Sequence, residues 1–525
     1  MTPRPVAIII RDGWALNENP KGNAVAAAET PKVDSYKAIY PWCRLACSGE
    51  AVGLPDGYMG SSEVGHLNIG AGRIVIQELK RIDHDLKTGR LFETKTWKDL
   101  VETWKKNRSR LHMLGLLQDE GVHAHQEHLF EFMRRARREY EEGAIVLHPF
   151  LDGRDTSPRS ALQYVAKLRP VMAKVGNVSI GTFMGRYYGM DRSQNWPLTD
   201  VAFTCISQAE GMRVDTLEAA VEGCYANERT PDGGAMFDEY IPPHVVGDYQ
   251  GIRDGDVVLH TNYRQDRAIQ LTKAFVEERY PGHRNRRPLV SYAGLTRYYD
   301  EFDAHIMEPL DAGGGMENLL GEVISNAGLR QLRIAETQKF PHVTSFFNGK
   351  STTPYPLEDD LHIPSRFDAA MFASHPEMDA YTVTDALLEK LENNPYALIV
   401  VNYANGDMVG HTGDFDAAKR AIEVVDECVG RLVARLLEVD GRILVTADHG
   451  NADQMIDYET GMVKTSHSLF DVECIYVAKD SRGEEMRARG ILSDLAPTVL
   501  HLLELDVPAD MTADNLFISG SMPCA

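Results

Sequence analysis

The chain is predicted to be an α/β protein in which a second α/β domain is inserted into the first, and three observations predict it. Apolar runs of strand length alternate with stretches of helical periodicity. Several of those runs end within a few residues in Gly, Asp or His. Residues with metal-ligand chemistry sit near both ends of the chain, whereas the middle contributes none to the set. Alternation of this kind builds a layered sheet, and in such sheets ligands lie beyond the carboxyl ends of the strands.

Taken in order, Val6 to Ile10 reads as the first strand and runs into Arg11-Asp12. The interior supplies four strand-like runs, Leu111 to Leu117, Ile145 to Leu147, Val178 to Phe183 and Val257 to His260, with helical patterns over His125 to Glu142 and Ser160 to Lys174. The last third returns to the first pattern, with strands at Ala397 to Val401 and Arg442 to Val445 and helices at Thr382 to Glu392 and Phe415 to Leu437. Ser493 is placed as the cap of a helix over Leu495 to Leu503. Because the proposed ligands come from both ends, those ends must meet. The expected division is a discontinuous domain of residues 1–77 and 313–525, an inserted domain of residues 83–308, and hinge linkers at 78–82 and 309–312. The linkers lie within Gln77 to Asp83 and Glu308 to Gly315, the latter carrying the flexible run Asp311-Ala312-Gly313-Gly314-Gly315.

Composition sets limits. At 525 residues, 43% hydrophobic and 25% charged, the chain has the size of about two to four globular domains. Its seven cysteines are scattered and form no Cys-x-x-Cys pair, which points to a reducing compartment. The run after Met1 is too short for a secretory signal, and nothing approaches the roughly 20 apolar residues of a membrane span, so a cytoplasmic protein is expected. A formal charge of −22 repels nucleic acid and anionic lipid, which excludes both as expected partners. A small anionic metabolite needs a local concentration of arginine, and the interior has one in Arg154, Arg186, Arg192, Arg264 and Arg267, whose guanidinium forks match phosphate and carboxylate geometry.

Seven potential ligands stand just after apolar runs or at loop tips: Asp12, Ser62, Asp407, His411, Asp448, His449 and His467. Carboxylates and imidazoles hold divalent Mn, Zn or Mg, and seven are too many for one tetrahedral ion, so two ions are read. Asp407 and His411 are four apart and share a face on a helical turn; Asp448 and His449 are adjacent, as suits a strand-end turn. Singly, each has a plainer reading, since Asp-His-Gly and Asp-Gly are common turns and a lone Asp often caps a helix. Ser62 matters most, because an alkoxide beside a divalent cation becomes a nucleophile at neutral pH. Ser61-Ser62-Glu63 also reads as the start of a helix, where free backbone N–H groups would receive phosphoryl oxygens.

The segment Met59-Gly60-Ser61-Ser62-Glu63-Val64-Gly65-His66-Leu67-Asn68-Ile69-Gly70-Ala71-Gly72-Arg73 resembles the nucleophile segment of the cofactor-independent (2,3-bisphosphoglycerate-independent) phosphoglycerate mutases, of the alkaline phosphatase superfamily. Leu151 to Thr156, Gly185 to Arg192, Asn262 to Ala268, Asn405 to His411 and Thr446 to Asn451 are similar to further segments of that family, in order along nearly the whole chain. The resemblance implies an alkaline-phosphatase-like domain and an isomerase of glycolysis and gluconeogenesis that interconverts 3-phosphoglycerate and 2-phosphoglycerate through a phosphoserine on Ser62, without 2,3-bisphosphoglycerate. It implies one metal held by Asp12, Ser62, Asp448 and His449 and another by Asp407, His411 and His467, with Mn2+ the usual ion and Mg2+, Co2+ or Zn2+ possible occupants. It adds His123 and Asp155 to the five arginines as substrate contacts, with Asp155 as general base and acid, and places Lys339 beside the serine; a monomer is expected. His125 and His128, near His123, are not read as a metal site.

Departures fall in loops. Ser345 and Lys350 stand where an aromatic residue and a glycine are expected, and Pro364 to Phe367, His375 to Asp379, Ser468 to Glu473 and the neighbours of Trp196 differ in wording, while no proposed ligand is lost. Two rivals stay open: a metal-dependent phosphatase or sulfatase of the same superfamily, which would release free phosphate, and a non-catalytic metal-binding scaffold, which would be expected to have lost its nucleophile or ligands. Phosphopentomutase is weaker, because a threonine nucleophile and a different inserted domain would be expected.

Overall fold

The computed structural model describes residues 4–231, 233–307, 316–368, 371–393, 395–481 and 484–518. The chain divides into two compact units, Met1–Gln77 with Asp311–Ala525, and Glu78–Leu310.

In the first unit an eight-stranded sheet runs in the order Glu358–Ile363, Arg330–Glu336, Tyr396–Tyr403, Val6–Arg11, Arg442–Thr446, Val472–Val477, Trp42–Ala46, Arg489–Ile491. Val6–Arg11 is central and parallel to both neighbours, with Val6 beside Leu398 on one side and Arg442 on the other. It is buried along its whole length, as a continuous apolar run covered on both faces requires. Arg11 is the exception in that run. Its guanidinium meets Glu473 at 3.1 Å and lies over the Trp14 ring at 4.4 Å, so a buried charge keeps a partner. Helix Phe415–Glu438 is capped by Asp414, whose side chain accepts from the Ala417 N–H.

The helix after the second strand spans Ser62–Ala71 and is capped by Ser61, which accepts from the Val64 N–H at 3.4 Å. Ser62 is thus the first helical residue. The helix is buried on nearly every side, and its glycines permit that: a Cβ at Gly70 would lie 2.0 Å from the Phe347 carbonyl oxygen. Gly70→Ala is therefore expected to destabilise by about 1–3 kcal/mol or more through overpacking. Gly223→Ala, in the open middle of helix Leu217–Asn227, should instead add about 0.5–1 kcal/mol. Urea midpoints of both variants check the contrast. Lys350 holds φ +72, a left-handed conformation that costs a lysine more than the glycine expected there.

The second unit contains a sheet ordered His305–Met307, Ser291–Thr296, Val257–His260, Arg110–Leu116, Ala144–Leu151, Thr182–Gly185, His244–Val246, Met212–Val214, with Val178–Ile180 beside Ala144–Leu151. A row of buried polar side chains crosses it. His112 Nε2 donates to Asp256 at 3.1 Å, which leaves Nδ1 to accept from His148 Nε2 at 2.9 Å and His148 Nδ1 to accept from the Thr182 hydroxyl at 2.8 Å. Burial lowers the pKa of His112 against the raising effect of Asp256; burial, with His112 and Arg110 adding to it, holds His148 far below the ordinary 6.5. Burial pushes His260, bonded to the Tyr292 hydroxyl, down to about 3. His148 and His260 stay neutral when folded and protonate when unfolded, so the unfolded chain binds more protons below the ordinary value of 6.5. Stability should accordingly fall as the pH drops below that value, by about 1.4 kcal/mol per pH unit for each histidine that stays neutral. Denaturant titrations from about pH 7 down to about pH 5 check the sign, and His260→Phe should flatten the slope.

Three expectations require correction or a boundary. The expected hinge linker at 78–82 begins at the boundary of the two units and opens helix Glu78–Thr88, in which Leu79 and Ile82, three apart, share a buried face. Ser493 is not the cap of helix Leu495–Leu502; that position belongs to Asp494, while the Ser493 hydroxyl faces Asn68. The second linker, 309–312, lies outside the described residues.

Candidate metal centre and anion site

Sheet topology places the seven proposed ligands of the first unit. Asp12 follows the central strand, Asp448 and His449 follow Arg442–Thr446, and helix Asn405–Gly410, entered from Tyr396–Tyr403, carries Asp407 and leads into His411. Close backbone approach is required: a Cβ at Gly13 would lie 2.4 Å from the Asp407 backbone nitrogen, and Gly13 holds φ +78.

All seven residues come together in two sets. Asp407 Oδ1 lies 3.1 Å from His411 Nε2 and 3.2 Å from His467 Nε2, and the two Nε2 atoms are 3.2 Å apart. His411 Nδ1 donates to the Thr465 carbonyl at 2.6 Å and His467 Nδ1 to the Gly60 carbonyl at 2.8 Å. With both Nδ1 protons committed, the two Nε2 lone pairs and a carboxylate oxygen converge on one point, an arrangement that a cation satisfies. In the other set, Ser62 Oγ lies 2.9 Å from His449 Nε2 and 3.2 Å from Asp12 Oδ1, and His449 Nε2 lies 3.3 Å from Asp12 and 3.7 Å from Asp448. Asp448 Oδ2 is buried without a hydrogen bond among the described residues; His66 Nδ1, 3.3 Å away, meets the Ser62 carbonyl at 2.8 Å instead. An orphaned carboxylate oxygen beside two further donors fits a metal ion. Within each of the groups Asp407, His411, His467 and Asp12, Asp448, His449 the ligand atoms lie within 4.8 Å of one another.

Lys339 stands between the two sets. Its ammonium donates to Asp407 at 2.6 Å, Ser62 Oγ at 2.6 Å and Asp12 at 3.0 Å. Burial alone would lower its pKa, but the charges of Asp12, Asp407 and Asp448 raise it, so the cation is retained. Burial would likewise raise Asp407, yet Lys339, His411 and His467 hold it well below the carboxylate range. Burial drives His467 down to about 4, with His449 adding to it. Asn402 Nδ2 donates to Asp12 Oδ2 at 2.8 Å and Asn451 Nδ2 to Asp407 Oδ1 at 2.9 Å, orienting both carboxylates. Neither asparagine nor His66 was assigned from sequence, although Asn402 is the one polar residue inside the apolar run Ala397–Tyr403.

The second unit gathers the other predicted residues. Arg186 is buried and paired with Asp152 at 2.7 Å and with Asp155. Arg192 meets Asp266 at 2.6 Å, Arg264 meets the same carboxylate at 3.3 Å, and Arg154 reaches Glu239 at 3.3 Å. Arg267 donates to the Met190 carbonyl at 3.1 Å. His123 is buried, 3.8 Å from Asp155 and 3.7 Å from Asp266. Burial, and then the charges of Arg186, Arg264, Arg267 and Arg192, hold His123 far below its ordinary value; burial with Arg186, Arg192 and Arg154 brings Arg267 down to about 10. The guanidinium groups thus act on one another, a local concentration of positive charge within a chain of charge −22.

Residues 4–507 match the metalloenzyme superfamily. The chain is similar to the 2,3-bisphosphoglycerate-independent phosphoglycerate mutase of Clostridium beijerinckii, at 41% identity over 523 residues covering 99% of this chain and 100% of that protein. It is similar to 2,3-bisphosphoglycerate-independent phosphoglycerate mutase 1 of Methanosarcina acetivorans, at 42% identity covering 98% of this chain and 99% of that one. Among solved structures, phosphoglycerate mutase of Leishmania mexicana, crystallised at low cobalt concentration, shares the fold with a TM-score of 0.78 and 30% identity, each chain covered to 98%. No helix among the described residues is long and apolar enough to cross a membrane. With its α/β sheets and its clustered carboxylate and imidazole donors, the chain belongs to the 2,3-bisphosphoglycerate-independent phosphoglycerate mutases, within the metalloenzyme superfamily.

Proposed function

We propose that the chain interconverts 3-phosphoglycerate and 2-phosphoglycerate through a phosphoserine on Ser62, as a two-metal, Mn2+-using isomerase acting as a cytoplasmic monomer. The observation that carries this reading is the setting of Ser62: the first residue of a helix, its hydroxyl receiving a hydrogen bond from Lys339 at 2.6 Å and lying 2.9 Å from His449. Divalent ions, when bound by the two sets, would ease ionisation of that hydroxyl and offset phosphoryl charge. Ser62 Oγ forms a bond to phosphorus as the bond to the 3-oxygen breaks, and the Asp155 carboxyl supplies that oxygen with a proton. The free N–H groups of the helix start and the Lys339 ammonium receive the phosphoryl oxygens. The arginines of the second unit hold the glycerate carboxylate through bidentate hydrogen bonds. The 2-hydroxyl then gives its proton to Asp155 and takes phosphorus back as the Ser62 oxygen leaves, so protons and phosphoryl group balance over the cycle.

A phosphatase would use the same donors of the first unit, but the arginine cluster favours retention of an anionic acceptor over release. Phosphorus NMR of the protein with 3-phosphoglycerate and Mn2+, without 2,3-bisphosphoglycerate, should show 2-phosphoglycerate and little inorganic phosphate. Chelation should abolish turnover and Mn2+ restore it. Accumulation of inorganic phosphate in place of 2-phosphoglycerate would refute the mutase reading.

A further inference from the structure

We propose that Cys224, Glu228 and His244 form a further divalent-metal site of zinc type within the second unit, separate from the donors of the first and independent of the proposed reaction. One ligand atom from each residue lies within 4.8 Å of the others. Cys224 sits in the last turn of helix Leu217–Asn227 and Glu228 is its C-cap, so the two are four apart and project from one face. His244 opens the short strand His244–Val246, and its Nε2 is 3.9 Å from the Cys224 sulfur.

The imidazole is prepared for a metal in two respects. Its Nδ1 donates to the Pro242 carbonyl at 2.6 Å, which fixes the tautomer that leaves the Nε2 lone pair facing the thiol. Phe183 stacks on the ring at 4.8 Å between centroids and 3° between planes, holding its direction. A plain core contact between thiol and imidazole needs neither a third donor nor a carboxylate in the same space. Glu228 supplies both, and because it is half-buried while Cys224 and His244 are buried, it marks the route by which an ion enters. Thiolate, imidazole and carboxylate together select Zn2+ or Co2+ over Mg2+ and Mn2+, and three protein ligands leave the fourth tetrahedral position for water. Binding replaces the thiol proton with the metal and joins the end of the helix to the strand.

The seven-residue set of the first unit contains no sulfur, which separates the two sites spectroscopically. Titration of metal-free, full-length protein with Co2+ should produce a near-ultraviolet sulfur-to-cobalt charge-transfer band. Cys224→Ser should remove the band and leave Mn2+-supported mutase turnover at the wild-type level, while Cys47→Ser, which alters a buried thiol of the first unit that feels the charge of Asp448, should keep the band. If Cys224→Ser does not fold, Glu228→Gln carries the test through a loss of about tenfold or more in cobalt affinity read from the same band. No band in the wild-type protein, a band that survives Cys224→Ser, or an unchanged affinity in Glu228→Gln overturns the proposal.

Discussion

Ser62→Ala is expected to lower turnover by about 10⁴- to 10⁶-fold, the scale on which removal of a catalytic nucleophile acts. The substitution takes away one oxygen and little volume, and Asp12 keeps Asn402, Lys339 keeps Asp407 and His449 keeps Asp12 as partners, so the fold should persist. Circular dichroism and urea midpoints close to wild type, together with loss of 2-phosphoglycerate in the phosphorus spectrum, would locate the defect in chemistry. Wild-type turnover in Ser62→Ala would remove the phosphoserine from the mechanism.

Lys339→Met is expected to have the second largest effect, and it should depend on metal. The ammonium is buried against Asp12 and Asp407, and its loss leaves two buried carboxylates without the cation they share. Breaking a buried pair from one side costs about 3–5 kcal/mol, and that loss should be visible in denaturant titrations of chelated protein. Saturating Mn2+ replaces the missing charge and should recover most of it by mass action. Turnover should still fall by about 10²- to 10³-fold, as for loss of one donor to a developing charge. Equal destabilisation with and without Mn2+ would mean that the lysine's stabilising role lies elsewhere.

Much of this was legible in the sequence for an identifiable reason. Asp12, Asp448 and His449 are conspicuous because each stands just after an apolar run, and a strand that runs out into charged residues marks the carboxyl end at which ligands gather. The helix Phe415–Glu438 and the strand Val257–His260 were readable from periodicity and length. Strand Arg330–Glu336 was not, because its buried members include Gln331 and Arg333, and Arg333 lies over the Phe347 ring at 4.3 Å in the core where an apolar residue would be expected. The helix that opens at Glu78 was not readable, since charges around Leu79 and Ile82 hide a helical face. Asn402, Asn451 and His66 act by orienting other side chains, and only the fold reveals whom a buried amide or ring addresses.

The central strand has a consequence for synthesis. Val6–Arg11 finds its two neighbours in Tyr396–Tyr403 and Arg442–Thr446, so as the polypeptide leaves the ribosome this apolar segment waits without a ladder until most of the message has been read. The unit Glu78–Leu310 is complete well before then and can fold first. An unpaired, sticky segment held that long invites self-association, so yield in the cell should depend on holding chaperones and fall when translation is slowed, far more than the stability of the finished molecule would suggest.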